Sequence, residues 1–246
     1  MTEVMDIAAP WAPLSDDDTQ KIPRLGRLEQ ASSQISAEAL CGIISAGLEL
    51  THRTATHDAA LARADILISR LPDLWEIIAH RVDRVGILHS ADDCFDVSHS
   101  DPAWPGLILV SMPPATPVGD LRLVEGIVHE AMHHHLSALE ETFCLAAPEV
   151  QSYSPWKESD RPVSGILHGL FVFGCIAHSL RRLIDVGALD AEQVAHSRSR
   201  IIEIAEEFDT VDHEALLGAL TGAGRHVHAR SMNALRFASH CDEPRH

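Results

Sequence analysis

From Ser36 to about Leu71 the apolar positions, mostly Ala, Leu and Ile, recur at spacings near three and four, the mark of helices that bury one face. The spacing predicts two consecutive helices broken near Thr54–His57, and Pro72 opens a third, short one carrying Leu74, Ile77 and Ile78. The pattern changes after Val82. Val85–Ser90 and Gly106–Met112 are short, apolar and bounded by turn residues, which predicts two strands. Pro113-Pro-Ala-Thr-Pro117 interrupts the chain. Helical periodicity returns over Leu121–Glu141, with Val124, Ile127, Val128, Ala131 and Leu139 on one stripe and His135 where another apolar residue is expected. Pro148–Pro162 is polar and Pro-flanked and reads as a loop. Val163–Val186 reads as a buried helix stopped by Gly187. Asp190-Ala-Glu-Gln193 has the form of a capping box opening a helix to about Phe208, and a last helix, with internal glycines near 222–224, is expected over 212–240.

Composition narrows what such a chain can do. Its 246 residues, 46% hydrophobic and 22% charged, suit one good-sized domain. Residues 1–33 are polar and Pro-interrupted, with an acid run at Asp16–Asp18, and are expected to form a loosely ordered arm; 34–246 are expected to form a single metal-dependent catalytic domain. A formal charge of −17 disfavours nucleic acid and anionic membrane as partners and favours a neutral or cationic one such as a peptide. Aromatics are 4% with one Tyr, too few for base-stacking platforms. Five cysteines, odd in number and never in a CxxC pair, fit neither a disulfide framework nor a Cys-rich zinc site and suit a reducing cytosol. The start of the chain is acidic where a signal peptide is basic. The apolar run Gly165–Leu180, interrupted by His168 and His178, is short for a bilayer span. A soluble, cytoplasmic protein is the expectation; oligomeric state is not legible in these patterns.

The unusual count is 17 His, because imidazole is the side chain most often used to bind metals or move protons. Within the predicted helix 121–141, His129-Glu130-Ala131-Met132-His133 is an HExxH motif. Residues four apart share a helical face, so His129 and His133 can offer ring nitrogens to one metal. Glu130, a quarter-turn away, can reach a metal-bound water or orient the site. Gly126, almost one turn earlier, leaves room for a ligand or another backbone. A helix of this kind following two strands is the order of a zincin-like site. The expected fold is therefore α+β and predominantly helical, with a zincin-like small antiparallel sheet packed on the HExxH helix and a helical C-terminal half.

The third ligand decides the chemistry. The HExxHxxGxxH continuation is absent, since Leu136 and Leu139 occupy its Gly and His positions. Glu158 follows at the distance of a later carboxylate ligand but in the predicted loop. His168, on the apolar helix where an unpaired imidazole is costly to bury, is the better candidate. His134 and His135 project elsewhere and suit polar or supporting roles.

The ordered set His129-Glu-x-x-His133, Tyr153-Ser-Pro-Trp156, Arg161-Pro162 and Leu167-His168-Gly169 resembles the HExxH-type 2-oxoglutarate-dependent peptide β-hydroxylases associated with ribosomally made, post-translationally modified peptides. The resemblance covers about residues 85–180 and weakens in the helical flanks; Lys157 stands where Arg is expected after the Trp. It implies iron(II) bound by His129, His133 and His168, with 2-oxoglutarate and O₂ as co-substrates, and hydroxylation at Cβ of a residue in a ribosomally made precursor peptide. Three neutral imidazoles on an octahedral iron leave three positions, enough for a bidentate 2-oxo acid and O₂. The distal carboxylate of 2-oxoglutarate needs a cation, for which Arg161, near the start of the His168 helix, is the candidate, and Tyr153 could donate a hydrogen bond to the co-substrate. In this reading Glu130 orients the site. Two alternatives remain open at this point. One is a zinc metallopeptidase with Glu130 as general base; the other is a non-catalytic, helical peptide-binding module.

Overall fold

The structure, a computed structural model, describes residues 34–90 and 96–240. The proposed N-terminal arm, residues 1–33, lies outside them.

Helix α1 (Ala37–Ser45) begins at Ser36, whose side chain accepts from the Ala39 N–H. A two-residue strand, β1 (Leu50–Thr51), intervenes before α2 (Ala55–Ile68). The expected break near Thr54–His57 is a capping box: Thr54 accepts from the His57 N–H and His57 Nδ1 accepts from the Thr54 N–H. Helix α3 (Pro72–Arg81) starts with its proline at the first helical position. Strands β2 (Arg84–Leu88), β3 (Ser98–Ser100) and β4 (Leu107–Ser111) follow, then the HExxH helix α4, which starts earlier than its apolar periodicity suggests and spans Pro117–Glu140, capped by Thr116.

The four strands form one sheet in the order β1-β2-β4-β3. The expected antiparallel arrangement is corrected: β2 and β4 run parallel, Arg84 opposite Leu107 through Leu88 opposite Ser111, while β1 and β3 flank them antiparallel. The sheet is mixed because the connection from β2 leads first to β3 at the edge, which turns back beside β4. Every residue of β4 is buried, as a strand covered on both faces requires. One face carries the main core with Val85, Ile87, Ile108 and Val110; the other carries Leu88, Leu107 and Leu109 against Ala39 and Ile43 of α1.

The segment expected as a loop, 148–162, is a hairpin of β5 (Gln151–Ser154) and β6 (Ser159–Pro162), with Ser152 opposite Arg161 and Tyr153 opposite Asp160. Its strands lack the apolar alternation that would mark them, because the hairpin is mostly solvent-facing. Helix α5 (Val163–Asp185) then crosses the core and ends at Gly187, whose φ of 65° is the left-handed turn expected there. It is the one helix among the described residues long and apolar enough to cross a membrane, and most of its apolar stretch is buried inside the protein. Helix α6 (Ala191–Asp209) opens on the Asp190–Gln193 capping box. The expected last helix is two, α7 (His213–Ala219) and α8 (Gly222–Ser239). Thr221 divides them by capping α8 at the Gly224 N–H, and a Cβ on Gly224 would stand 2.0 Å from the Leu145 carbonyl oxygen. The glycines near 222–224 therefore begin a helix instead of lying inside one.

Candidate metal centre

Helix α4 lies against β3 and β4 on one side and against α5 on another. Its apolar stripe, Leu123, Val124, Ile127, Val128, Ala131 and Leu139, is buried, and so is His135, whose ring stacks near Phe171 at 6.2 Å between centroids. Gly126 is not a ligand cleft. A Cβ there would meet Val110 and Ser98 at ordinary contact distance, so the position packs the helix on the sheet.

His129, His133 and Glu140 are separated by four and seven residues and share one helix face. His168 comes to that face from α5. The side chains form a row: His129 Nε2 is 3.2 Å from His133 Nε2, His133 Nδ1 is 3.1 Å from His168 Nδ1, and His168 Nε2 is 2.9 Å from Glu140 Oε2. The tautomers follow from these partners. Ionised, Glu140 can only accept, so His168 carries its proton on Nε2 and its Nδ1 is free to accept from His133 Nδ1–H. That leaves the lone pair of His133 on Nε2, beside His129.

Burial holds the His129 imidazole down to about 4, with the charges of Lys157 and Arg200 adding to the effect. Burial carries His133 further, to about 2, helped by its neighbouring histidines and Lys157. Both rings are thus neutral at pH 7, the state that binds a metal. The nitrogens also fit one edge of a coordination shell. Ligands about 2.1 Å from a shared ion at roughly 90–109° stand about 3.0–3.4 Å apart, the separation of His129 Nε2 and His133 Nε2. As placed, His168 supports His133 from behind. Among the described residues no set of three or more His, Cys, Asp or Glu side chains forms a complete metal-binding group.

Glu130 points to the sheet edge. It is 3% exposed, and its two oxygens accept hydrogen bonds from Ser98 Oγ and Ser100 Oγ, each 2.5 Å away. Its Oε1 lies 4.0 Å from His129 Nε2. Burial raises its affinity for a proton; the two serine hydroxyls and the charge of Lys157 oppose that. Strand alternation delivers the pair, since residues 98 and 100 face one side while His99 faces Trp104 on the other.

The hairpin covers the outer end of the row through Trp156. Its ring stacks on Phe173 at 5.4 Å and 17°, and Phe173 meets the His129 ring edge-on at 5.3 Å. The indole N–H donates to Glu207 on α6. Arg200 lies 5.5 Å from the Phe173 centroid and pairs with Glu125, one turn before His129. Next to Trp156, Lys157 is exposed, makes no ion pair among the described residues, and sits close enough for its charge to act on His129, His133 and Glu130.

The structure therefore brings His129, His133 and His168 together with Glu130 beside them. It sets Tyr153, 48% exposed, on the outer face of the hairpin, and leaves Arg161 exposed on β6 opposite Ser152. Glu158 occupies the hairpin tip with φ 48° and is exposed. Compared with known proteins, the chain matches no family model and no curated protein. Glu140, Ser98 and Ser100 escaped the sequence reading, which noted Lys157 only as a departure from an expected Arg. Glu140 was accessible from its spacing of eleven, three helical turns, after His129; the serines depended on knowing that 98–100 is a strand.

Proposed function

We propose that the chain is a non-haem iron(II), 2-oxoglutarate-dependent oxygenase that hydroxylates the Cβ of a residue in a ribosomally made peptide in the cytoplasm. The observation that carries the reading is the meeting of three imidazoles from two helices, two of them held neutral with Nε2 atoms one coordination edge apart. His129 and His133 would hold the metal through Nε2, and His168 would become the third donor by turning from Glu140. Bound there, iron with 2-oxoglutarate and O₂ supplies insertion of one oxygen atom into a C–H bond, the other leaving in succinate. The chain's own residues orient and exclude. Glu130, clamped by two serines, fixes the His129 side of the site, and the Trp156–Phe173 stack shields it from water. On the hairpin, Arg161 and Lys157 are the candidates for the co-substrate carboxylate, and Tyr153 for a supporting hydrogen bond.

The same clamp weighs against the peptidase alternative, because a general base needs a carboxylate free to take a proton from water. A peptide substrate suits the fold as an added strand. The β2 and β4 strands are interior, so the available edge beside Glu130 is β3.

Mass spectrometry of a precursor peptide tests the reading. A gain of one oxygen on the intact peptide, dependent on iron and 2-oxoglutarate, supports it; two fragments that together gain one water replace it with the zinc peptidase. Ligand and supporting roles of His168 separate in two variants. As a ligand, His168→Ala loses iron while Glu140→Gln keeps it; as a support only, both weaken iron binding alike, by about 10–100-fold.

A further inference from the structure

About a quarter-turn round α4 from the histidine row, a cavity of about 320 Å³ opens between the end of α3, the β4 entry and the helix; His80, Arg81, His134, Ser137 and Glu141 are among the side chains lining it. With 36 acidic residues to 19 Lys and Arg, several arginines of known placement pair with a carboxylate: Arg53 with Asp58, Arg63 with Asp120, Arg84 with Asp83, Arg122 with Asp96 and Arg181 with Asp185. The Arg81 guanidinium, half-buried, makes no ion pair or hydrogen bond among the described residues. It shares the cavity wall with His134, Ser137 and Glu141 of α4 and its C-terminal cap.

The remaining walls are equally unspent. The Ser137 hydroxyl and the His80 ring have no hydrogen-bond partner among the described residues, and neither has the Glu141 carboxylate. His134 is fixed as a wall by its Nε2–H, which donates to the Leu107 carbonyl oxygen at 2.9 Å. Asp83 is committed to Arg84 and packed against Gly106. One free guanidinium and one free carboxylate on a single polar cavity match a ligand with both charges.

We propose that this cavity binds a small amino-acid zwitterion, its carboxylate on Arg81 and Ser137 and its ammonium toward Glu141. A guanidinium takes a carboxylate through two parallel hydrogen bonds, which sets the ligand's orientation. Glu141 supplies the discrimination, because a hydroxy acid of the same size brings no charge to it. The site stands apart from the metal row and is independent of the oxygenase reading.

The full-length protein, without added metal, is titrated with alanine and with lactate, which differ in ammonium against hydroxyl, and binding is read from backbone amide shifts at Gly106 and Ala138. Alanine is expected to bind more tightly than lactate. Arg81→Gln should weaken both by about tenfold or more, whereas Glu141→Gln, at an exposed position that leaves the fold alone, should erase the preference and keep lactate binding. Unchanged binding in Arg81→Gln overturns the assignment, as does a preference that survives Glu141→Gln. So does the lack of any shift with the unaltered protein at tens of millimolar ligand, on the order of the weakest specific affinities.

Discussion

The indole of Trp156 rests on Gly169, so close that a Cβ at position 169 would stand 2.4 Å from the ring. The glycine is the neighbour of His168, and the contact joins the hairpin to the helix that delivers that histidine. Gly169→Ala should therefore push Trp156 off Phe173 and destabilise the protein by about 1–3 kcal/mol, the usual effect of overpacking. Trp156 fluorescence and urea denaturation check it. A variant with native fluorescence and stability would show that the helix can shift at no expense.

Removing the serine clamp isolates the carboxylate. In Ser98→Ala/Ser100→Ala the buried Glu130 loses both donors, which costs about 1–3 kcal/mol for each polar group left unsatisfied. Its affinity for a proton, already raised by burial, should rise further. Adding Glu130→Gln to the double variant should recover part of the stability at neutral pH by removing the buried charge, and denaturant titration measures both steps.

Mild acid should destabilise the protein through its buried histidines. Burial holds His135 and His178 down to about 4, outside the proposed metal ligands. The unfolded chain binds protons at these residues from about pH 6.5, while the folded protein does not until about pH 4. Stability is therefore complete above about pH 6.5 and falls as pH drops toward 4, by up to about 2 kcal/mol per histidine at pH 5. His135→Phe and His178→Phe should each flatten the pH dependence of unfolding free energy between pH 7 and 5.

Two cations on one hairpin invite a direct comparison. Under the proposed function, whichever holds the 2-oxoglutarate carboxylate should, when changed to Gln, weaken co-substrate binding by about 2–4 kcal/mol while iron content stays constant. The charge of Lys157 acts on His129 and His133, whereas Arg161 stands exposed on β6, so Lys157→Gln is expected to have the larger effect. Calorimetry with iron and 2-oxoglutarate under nitrogen ranks them.

Backbone pairing of a peptide should protect β3. Hydrogen exchange with and without precursor peptide is expected to slow at Ser98–Ser100 and to leave β2 and β4, already paired on both sides, unchanged. Protection confined to α7 and α8 would move the docking site away from the sheet.

Local patterns were enough for the helices that bury a stripe. Period and caps gave α2 from Thr54, α3 from Pro72, α6 from Asp190 and the end of α5 at Gly187, because each signal acts within a few residues. The His129–His133 pair was equally local, fixed by the helical repeat. Three features were not. The parallel pairing of β2 with β4 depends on which edges meet after collapse. The hairpin β5–β6 has no apolar alternation and is specified by Trp156 docking on Gly169 and Phe173. Whether His168 reaches His133, and on which nitrogen, depends on how α5 packs against α4 and on Glu140 accepting from its far side. A sequence sets which side chains can share a helix face; only packing between helices sets which atoms of different faces come within hydrogen-bonding distance.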